Sequence, residues 1–140
     1  MNRGRTLARE LALQALYQYD LRGQEAAESA RVLLSGAEDE ARAYAGTLVS
    51  GVRDHDGALT DALKPLVQHW TWERVAAIDR GILRIGAFEL THGVDIPPKV
   101  AIDEAIELAK RFSTQSSGAF VNGILDRLYQ DKSKATPAAP

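Results

Sequence analysis

Residues 96–128 read IPPKVAIDEAIELAKRFSTQSSGAFVNGILDRL, and this stretch decides the fold that we predict for the chain. It opens with two prolines, which a helix tolerates in its first turn. Behind them, alanines recur at i,i+4 spacing among isoleucine and leucine. This pattern predicts an amphipathic helix with a strip of small residues that another helix can approach closely. The polar run 113–118 interrupts it, and a second helix is predicted beyond.

Phe120 falls near the start of that second helix, about 90° to the side of its apolar stripe. Phenylalanine usually belongs to the core, but this one adjoins a polar loop, which favours a role in stacking on a nucleic-acid base. Gly123 follows in the same helix, where glycine costs about 1 kcal/mol relative to alanine. A glycine there needs a reason, such as a partner that approaches the backbone closely.

The other apolar patterns also have helical spacing, and none alternates with the period of two that marks a half-buried strand. We therefore predict an all-α fold, with a single domain of six to seven helices over residues 1–130. The composition of residues 131–140 predicts a disordered tail. The first helix should end at Gly23 and bury a stripe formed by Leu7, Leu11, Ala12, Ala15, Leu16 and Tyr19.

Composition limits the classes of function. The 140 residues carry a net charge of −2, whereas proteins that coat nucleic acid indiscriminately are usually strongly basic. Any RNA binding should then be local and modest, and should need help from a partner. The chain has no cysteine, its three histidines lie far apart, and no phosphate loop or nucleophile elbow occurs. We predict no enzyme, no metal, no cofactor, no membrane span and a cytoplasmic location.

Three arginines precede the first acidic residue, Glu10, and Arg5 and Arg9 among them share one helix face. Cations at a helix N-terminus oppose the macrodipole. Such residues form either a solvated helix start or a site for an anionic ligand, and the residues alone leave both alternatives open.

Three spaced motifs resemble the NusB family of transcription antitermination factors. They are ARELALQALYQ at 8–18, DRGILRIGAFEL at 79–90, and the IP..VAI.EAIELAK.F block followed by FVNGILD. The resemblance implies two packed helical sub-bundles. It also implies binding of boxA RNA together with NusE, a small-subunit ribosomal protein, within the antitermination complex on RNA polymerase.

The resemblance further implies which residues make these contacts. The RNA-binding residues would be Arg3, Arg5, Arg9, Gln115, Ser116 and Phe120. Tyr17 and Asp79 would contact NusE. Some family members are dimeric, so the exposed part of the first helix could serve either a homodimer or NusE.

Two other functions compete with this interpretation. Some RNA methyltransferases carry a similar RNA-recognition module, although no catalytic domain follows in this sequence. A helical protein-interaction module without any RNA role is the other alternative.

Overall fold

The computed structural model describes residues 3–68, 71–93 and 95–135. Within these ranges the chain forms seven α-helices and no strand, which confirms the predicted all-α class. The helices are α1 (Arg3–Arg22), α2 (Ala27–Ser35), α3 (Asp39–Asp54), α4 (Asp56–Leu63), α5 (Ala77–His92), α6 (Pro98–Phe112) and α7 (Ser117–Ala135). The chain divides into two compact units, Met1–Asp56 and Gly57–Pro140.

In the first unit, α1 packs against both α2 and α3. Gly23 ends α1 with a φ of 60°, as predicted, because glycine adopts this left-handed conformation without steric cost. The predicted stripe is wrong in its first turn: Leu7 is 41% exposed, whereas Arg9 is buried. Half of the buried face consists of alanines, which allow close helix packing, and its members are Ala8, Arg9, Ala12, Leu13, Ala15 and Leu16.

In the second unit, α5 is buried without interruption from Gly81 to Leu90 and packs against α6 and α7. Gly86 lies where α7 approaches, because a Cβ at this position would be only 2.5 Å from Leu125 Cδ1. The predicted strip of small residues on α6 is buried and consists of Ala101, Ala105 and Ala109. Close helix packing therefore rests on small side chains in this unit as well.

The C-terminal helix extends further than the sequence predicts. A disordered tail was expected from Asp131, but α7 remains helical through Ala135, and residues 136–140 lie outside the described ranges. Lys132 Nζ donates a hydrogen bond of 2.7 Å to the carbonyl oxygen of Leu90, near the end of α5. A cation at this position also complements the α5 dipole. Among the described residues, no helix is long and apolar enough to cross a membrane.

Candidate functional site

Phe120 is half-buried in the first turn of α7 and lines two neighbouring grooves. The first groove, of about 330 Å³, also includes Arg74, Asp79, Thr114, Ser116 and Ser117. The second groove, of about 310 Å³, also includes Leu66, Gln68, Ala119, Gly123, Ile124 and Arg127. The buried face of α7 is formed instead by Val121, Ile124, Leu125 and Leu128. Phe120 therefore lies beside the core stripe, as its helical position predicts.

A carboxylate holds the floor of the first groove in place. Ser113 Oγ donates a hydrogen bond of 2.6 Å to Asp79 Oδ1, and Ser117 Oγ donates one of 3.1 Å to Asp79 Oδ2. The Thr114 backbone N–H donates in turn to Ser117 Oγ at 3.3 Å. These bonds connect the first turn of α5 to the loop between α6 and α7. The loop therefore presents Phe120 from a fixed position.

This network gives Asp79 a role that the sequence did not reveal. The predicted function of Asp79 was contact with a partner protein, and that contact stays a prediction. In the structure, both carboxylate oxygens already accept hydrogen bonds from serines that lie more than 30 residues away along the chain. No local pattern signals such a pairing. Of the other predicted loop residues, Gln115 and Ser116 are exposed, and Ser116 lines the first groove.

The N-terminal arginines differ strongly in exposure. Arg3 is exposed and Arg5 is half-buried, but only 2% of Arg9 is exposed. The guanidinium carbons of Arg5 and Arg9 lie 4.9 and 5.7 Å from the ring centroid of Tyr44 on α3. Both contacts are cation–π interactions, which stabilise a desolvated cation. In this conformation Arg9 is too buried to reach an RNA phosphate, and Tyr44, which the sequence analysis missed, orders both side chains.

Two further arginines adjoin Phe120 and were not singled out from the sequence. Arg74 is exposed in the first groove, and Arg127 is exposed in the second. Arg127 could have been found, because Phe120, Gly123 and Arg127 have the i, i+3, i+7 spacing of one helix face. Each groove beside the aromatic ring thus carries one cation.

Three apolar side chains lie on the exposed face of α1, interspersed with polar residues such as Glu10 and Gln14. Leu7, Tyr17 and Leu21 are 41%, 38% and 64% exposed, respectively. They fall within an arc of about 80° on the helix, because successive residues turn by about 100°. This face lies opposite to the packed alanines, and it has the chemistry of a protein-binding surface.

These arrangements are suited to binding. Shallow grooves with an aromatic ring, hydroxyl groups and arginines match the groups that recognise single-stranded nucleic acid. Among the residues that the structure describes, no group of three or more histidine or acidic side chains could hold a metal ion.

We expect Asp79→Ala to lower the free energy of unfolding by about 1–3 kcal/mol, because Ser117 is 2% exposed and would lose its charged acceptor. Urea denaturation measures this change. A double-mutant cycle with Ser117→Ala should show a coupling energy above about 0.5 kcal/mol.

Asp126→Ala is the matched control, since Asp126 is an exposed acid on α7. Its effect should stay within about 0.5 kcal/mol. Additive effects of Asp79→Ala and Ser117→Ala would show that the carboxylate does not hold the loop.

Comparison with known proteins supplies a family for this geometry. The sequence profile of the NusB family matches residues 6–130. The transcription antitermination protein NusB of Anaeromyxobacter dehalogenans is 44% identical over 135 residues, which cover 91% of this chain and 92% of that protein. The family match begins after Arg3 and Arg5 and includes Phe120.

Solved structures agree with the sequence comparison. The structure of T. maritima NusB superposes with a TM-score of 0.85 at 33% identity, covering 94% of each chain. A crystal structure of the antitermination factors NusB and NusE in complex with double-stranded RNA gives a TM-score of 0.83 at 28% identity. That match covers 94% of this chain and 99% of the other.

Proposed function

The chain belongs to the NusB family, and from this premise we propose that it is a non-enzymatic transcription antitermination factor. It binds boxA-type RNA together with NusE, the ribosomal protein, and acts in the cytoplasm within the antitermination complex on RNA polymerase. The comparison with a NusB, NusE and RNA complex supports this assignment. The observation in this chain that carries it is the half-buried Phe120 ring, which lies between two grooves that each contain an arginine.

The RNA contacts divide into stacking and charge neutralisation. An unpaired base stacks on Phe120, while the hydroxyl and amide groups of Ser116 and Gln115 offer hydrogen bonds beside it. Arg3 and Arg5 neutralise phosphates at the start of α1. Arg9 acts indirectly, because its buried guanidinium packs against the Tyr44 ring of α3, which Arg5 also contacts.

NusE occupies the exposed face of α1 that carries Leu7, Tyr17 and Leu21, with Tyr17 as its anchor. An exposed tyrosine contributes both apolar area and a hydroxyl group, which is why tyrosine is enriched at protein interfaces. Asp79 contributes charge to the same partner. Because the chain has a net charge of −2, a basic ribosomal protein would supply much of the positive potential that RNA requires.

Phe120→Ala should weaken binding of single-stranded boxA RNA by about 1–3 kcal/mol, the range for loss of one aromatic stacking partner. Fluorescence anisotropy with labelled RNA measures the affinity, and thermal unfolding reports the fold. Phe120→Trp should retain binding, since the ring face remains.

Tyr129→Ala is the control for the loss of an aromatic ring, because Tyr129 is another exposed aromatic residue on α7, outside both grooves. It should bind RNA like the wild type. If Phe120→Ala unfolds the protein without a specific RNA defect, the ring belongs to the core and the stacking role fails.

Arg5→Ala should reduce the slope of log K against log salt by about one, as the loss of one phosphate contact does. Arg9→Ala should instead lower the melting temperature, because it empties a buried position against Tyr44. RNA titrations at several salt concentrations separate these effects.

Arg42→Ala supplies the control, since Arg42 is an exposed arginine on α3 that pairs with Asp39. Its salt slope should match that of the wild type. An unchanged slope for Arg5→Ala would remove this residue from the phosphate contacts.

Tyr17→Ala should weaken NusE binding by about 2 kcal/mol, the magnitude expected of an aromatic interface anchor, and leave the fold intact. Calorimetry with purified NusE measures this directly. Since coupling between two ligands is reciprocal, the NusE-dependent gain in boxA affinity should fall as well.

Val32→Ala, at a 56% exposed position on α2, should bind NusE normally. Tyr17→Ala tests NusE binding more directly than Asp79→Ala does. Asp79→Ala would also remove the hydrogen bonds to Ser113 and Ser117, so a loss of NusE affinity could come from the altered loop. If Tyr17→Ala disrupts self-association and leaves NusE affinity unchanged, the α1 face is a homodimer surface.

A further inference from the structure

The second groove beside Phe120 is lined by residues of several chemical types. One side is a single face of α7 formed by Phe120, Gly123 and Arg127, and the other is formed by Leu66 and Gln68. All of these residues belong to the second unit. The groove combines an aromatic wall, an apolar floor, bare backbone and a cation.

Among the described residues, none packs closely against the Cα of Gly123. A Cβ added at this position would meet no atom within 4 Å, whereas a Cβ at Gly86 would collide with Leu125. Glycine destabilises a helix interior relative to alanine, so it is unfavourable wherever alanine would fit. At Gly86 the packing of α7 accounts for the glycine, but at Gly123 no residue of the described ranges supplies such a reason.

Arg127 forms a solvent-exposed ion pair that a ligand could replace. Its side chain is 61% exposed, and its Nε lies 3.3 Å from Oδ1 of Asp131, which is 46% exposed. A pair of this kind on a helix surface contributes little, because solvent screens both charges. A phosphate could replace the Asp131 carboxylate with two parallel hydrogen bonds from the guanidinium.

We propose that the second groove holds the nucleotide adjacent to the base that stacks on Phe120. Its sugar and backbone lie against the bare helix surface at Gly123, and its phosphate binds Arg127. The inference deepens the proposed RNA-binding function and rests on it. It adds a subsite in the second groove, whereas Asp79 lines the first.

The neighbouring features favour RNA over a protein ligand. The groove is continuous with the proposed stacking site, because the Phe120 ring lines both grooves. Its volume of about 310 Å³ lies at the lower end of the range for small-ligand sites. The groove combines a cation with aromatic and aliphatic side chains, which matches the alternation of phosphate and base along a single strand.

Gly123→Ala tests the proposal because stability and RNA affinity should change in opposite directions. The melting temperature should rise by roughly 2–4 °C, since alanine is the better helix former and its methyl group meets open space. The affinity for single-stranded boxA RNA should fall by about fivefold or more, the lower bound for losing one base contact.

Gly46→Ala is the matched control. Gly46 also lies inside a helix, α3, and a Cβ there would likewise meet nothing within 4 Å. This variant should gain similar thermal stability and keep wild-type RNA affinity. Arg127→Gln provides an independent measurement, with a salt slope reduced by about one.

The outcomes separate this inference from the proposed function. If the wild type fails to bind boxA RNA with or without NusE, both fail. If Phe120→Ala weakens RNA binding but Gly123→Ala and Arg127→Gln do not, the subsite alone is overturned. If Gly123→Ala weakens NusE binding and leaves RNA affinity unchanged, the groove is a protein contact and the inference is again wrong.

Discussion

The second unit depends on the burial of α5, because both grooves beside Phe120 are built on the helices that surround it. Ten consecutive residues of α5 are buried. Because Gly86 has no Cβ, Leu125 of α7 packs directly against the α5 backbone. This contact fixes the position of α7. At the start of α5, Asp79 then fixes the loop that precedes α7 through two serine hydroxyls. A packed glycine and a shared carboxylate thus hold the helix start that carries the half-buried Phe120.

In the first unit, a ring of α3 contacts two arginines near the start of α1, although the chain as a whole is acidic. Arginines at a helix N-terminus are locally unfavourable, and a flexible exposed arginine loses side-chain entropy when it binds a phosphate. Tyr44 addresses both effects, because its ring attracts the guanidinium groups of Arg5 and Arg9 and restricts their motion. Burying Arg9 removes one cation from the surface, whereas Arg5 is only half-buried against the same ring.

Much of the fold follows from the sequence, since helical periodicity and helix-stop residues such as Gly23 act locally. The errors arise where distant residues decide the outcome. Leu7 fits the apolar spacing of α1 better than Arg9, yet the contact with Tyr44 buries Arg9 and leaves Leu7 at the surface. The partners of Asp79 are likewise invisible to any local pattern. The position of Phe120 beside the core stripe was predicted, because its angle on α7 depends only on that helix. The position of Arg74 in the first groove depends on tertiary packing, which no local pattern indicates.

The glycines inside helices show which positions need a glycine for packing and which do not. Each glycine inside a helix carries a similar cost in the sequence, so the sequence cannot distinguish Gly86 from Gly123. The structure distinguishes them, because one faces Leu125 and the other faces open space. Open space alone does not identify a ligand, and Gly46 in α3 has the same property. Gly123 differs from Gly46 because it shares a helix face with Phe120 and Arg127. An aromatic ring and a cation beside exposed backbone are groups that a nucleotide can contact.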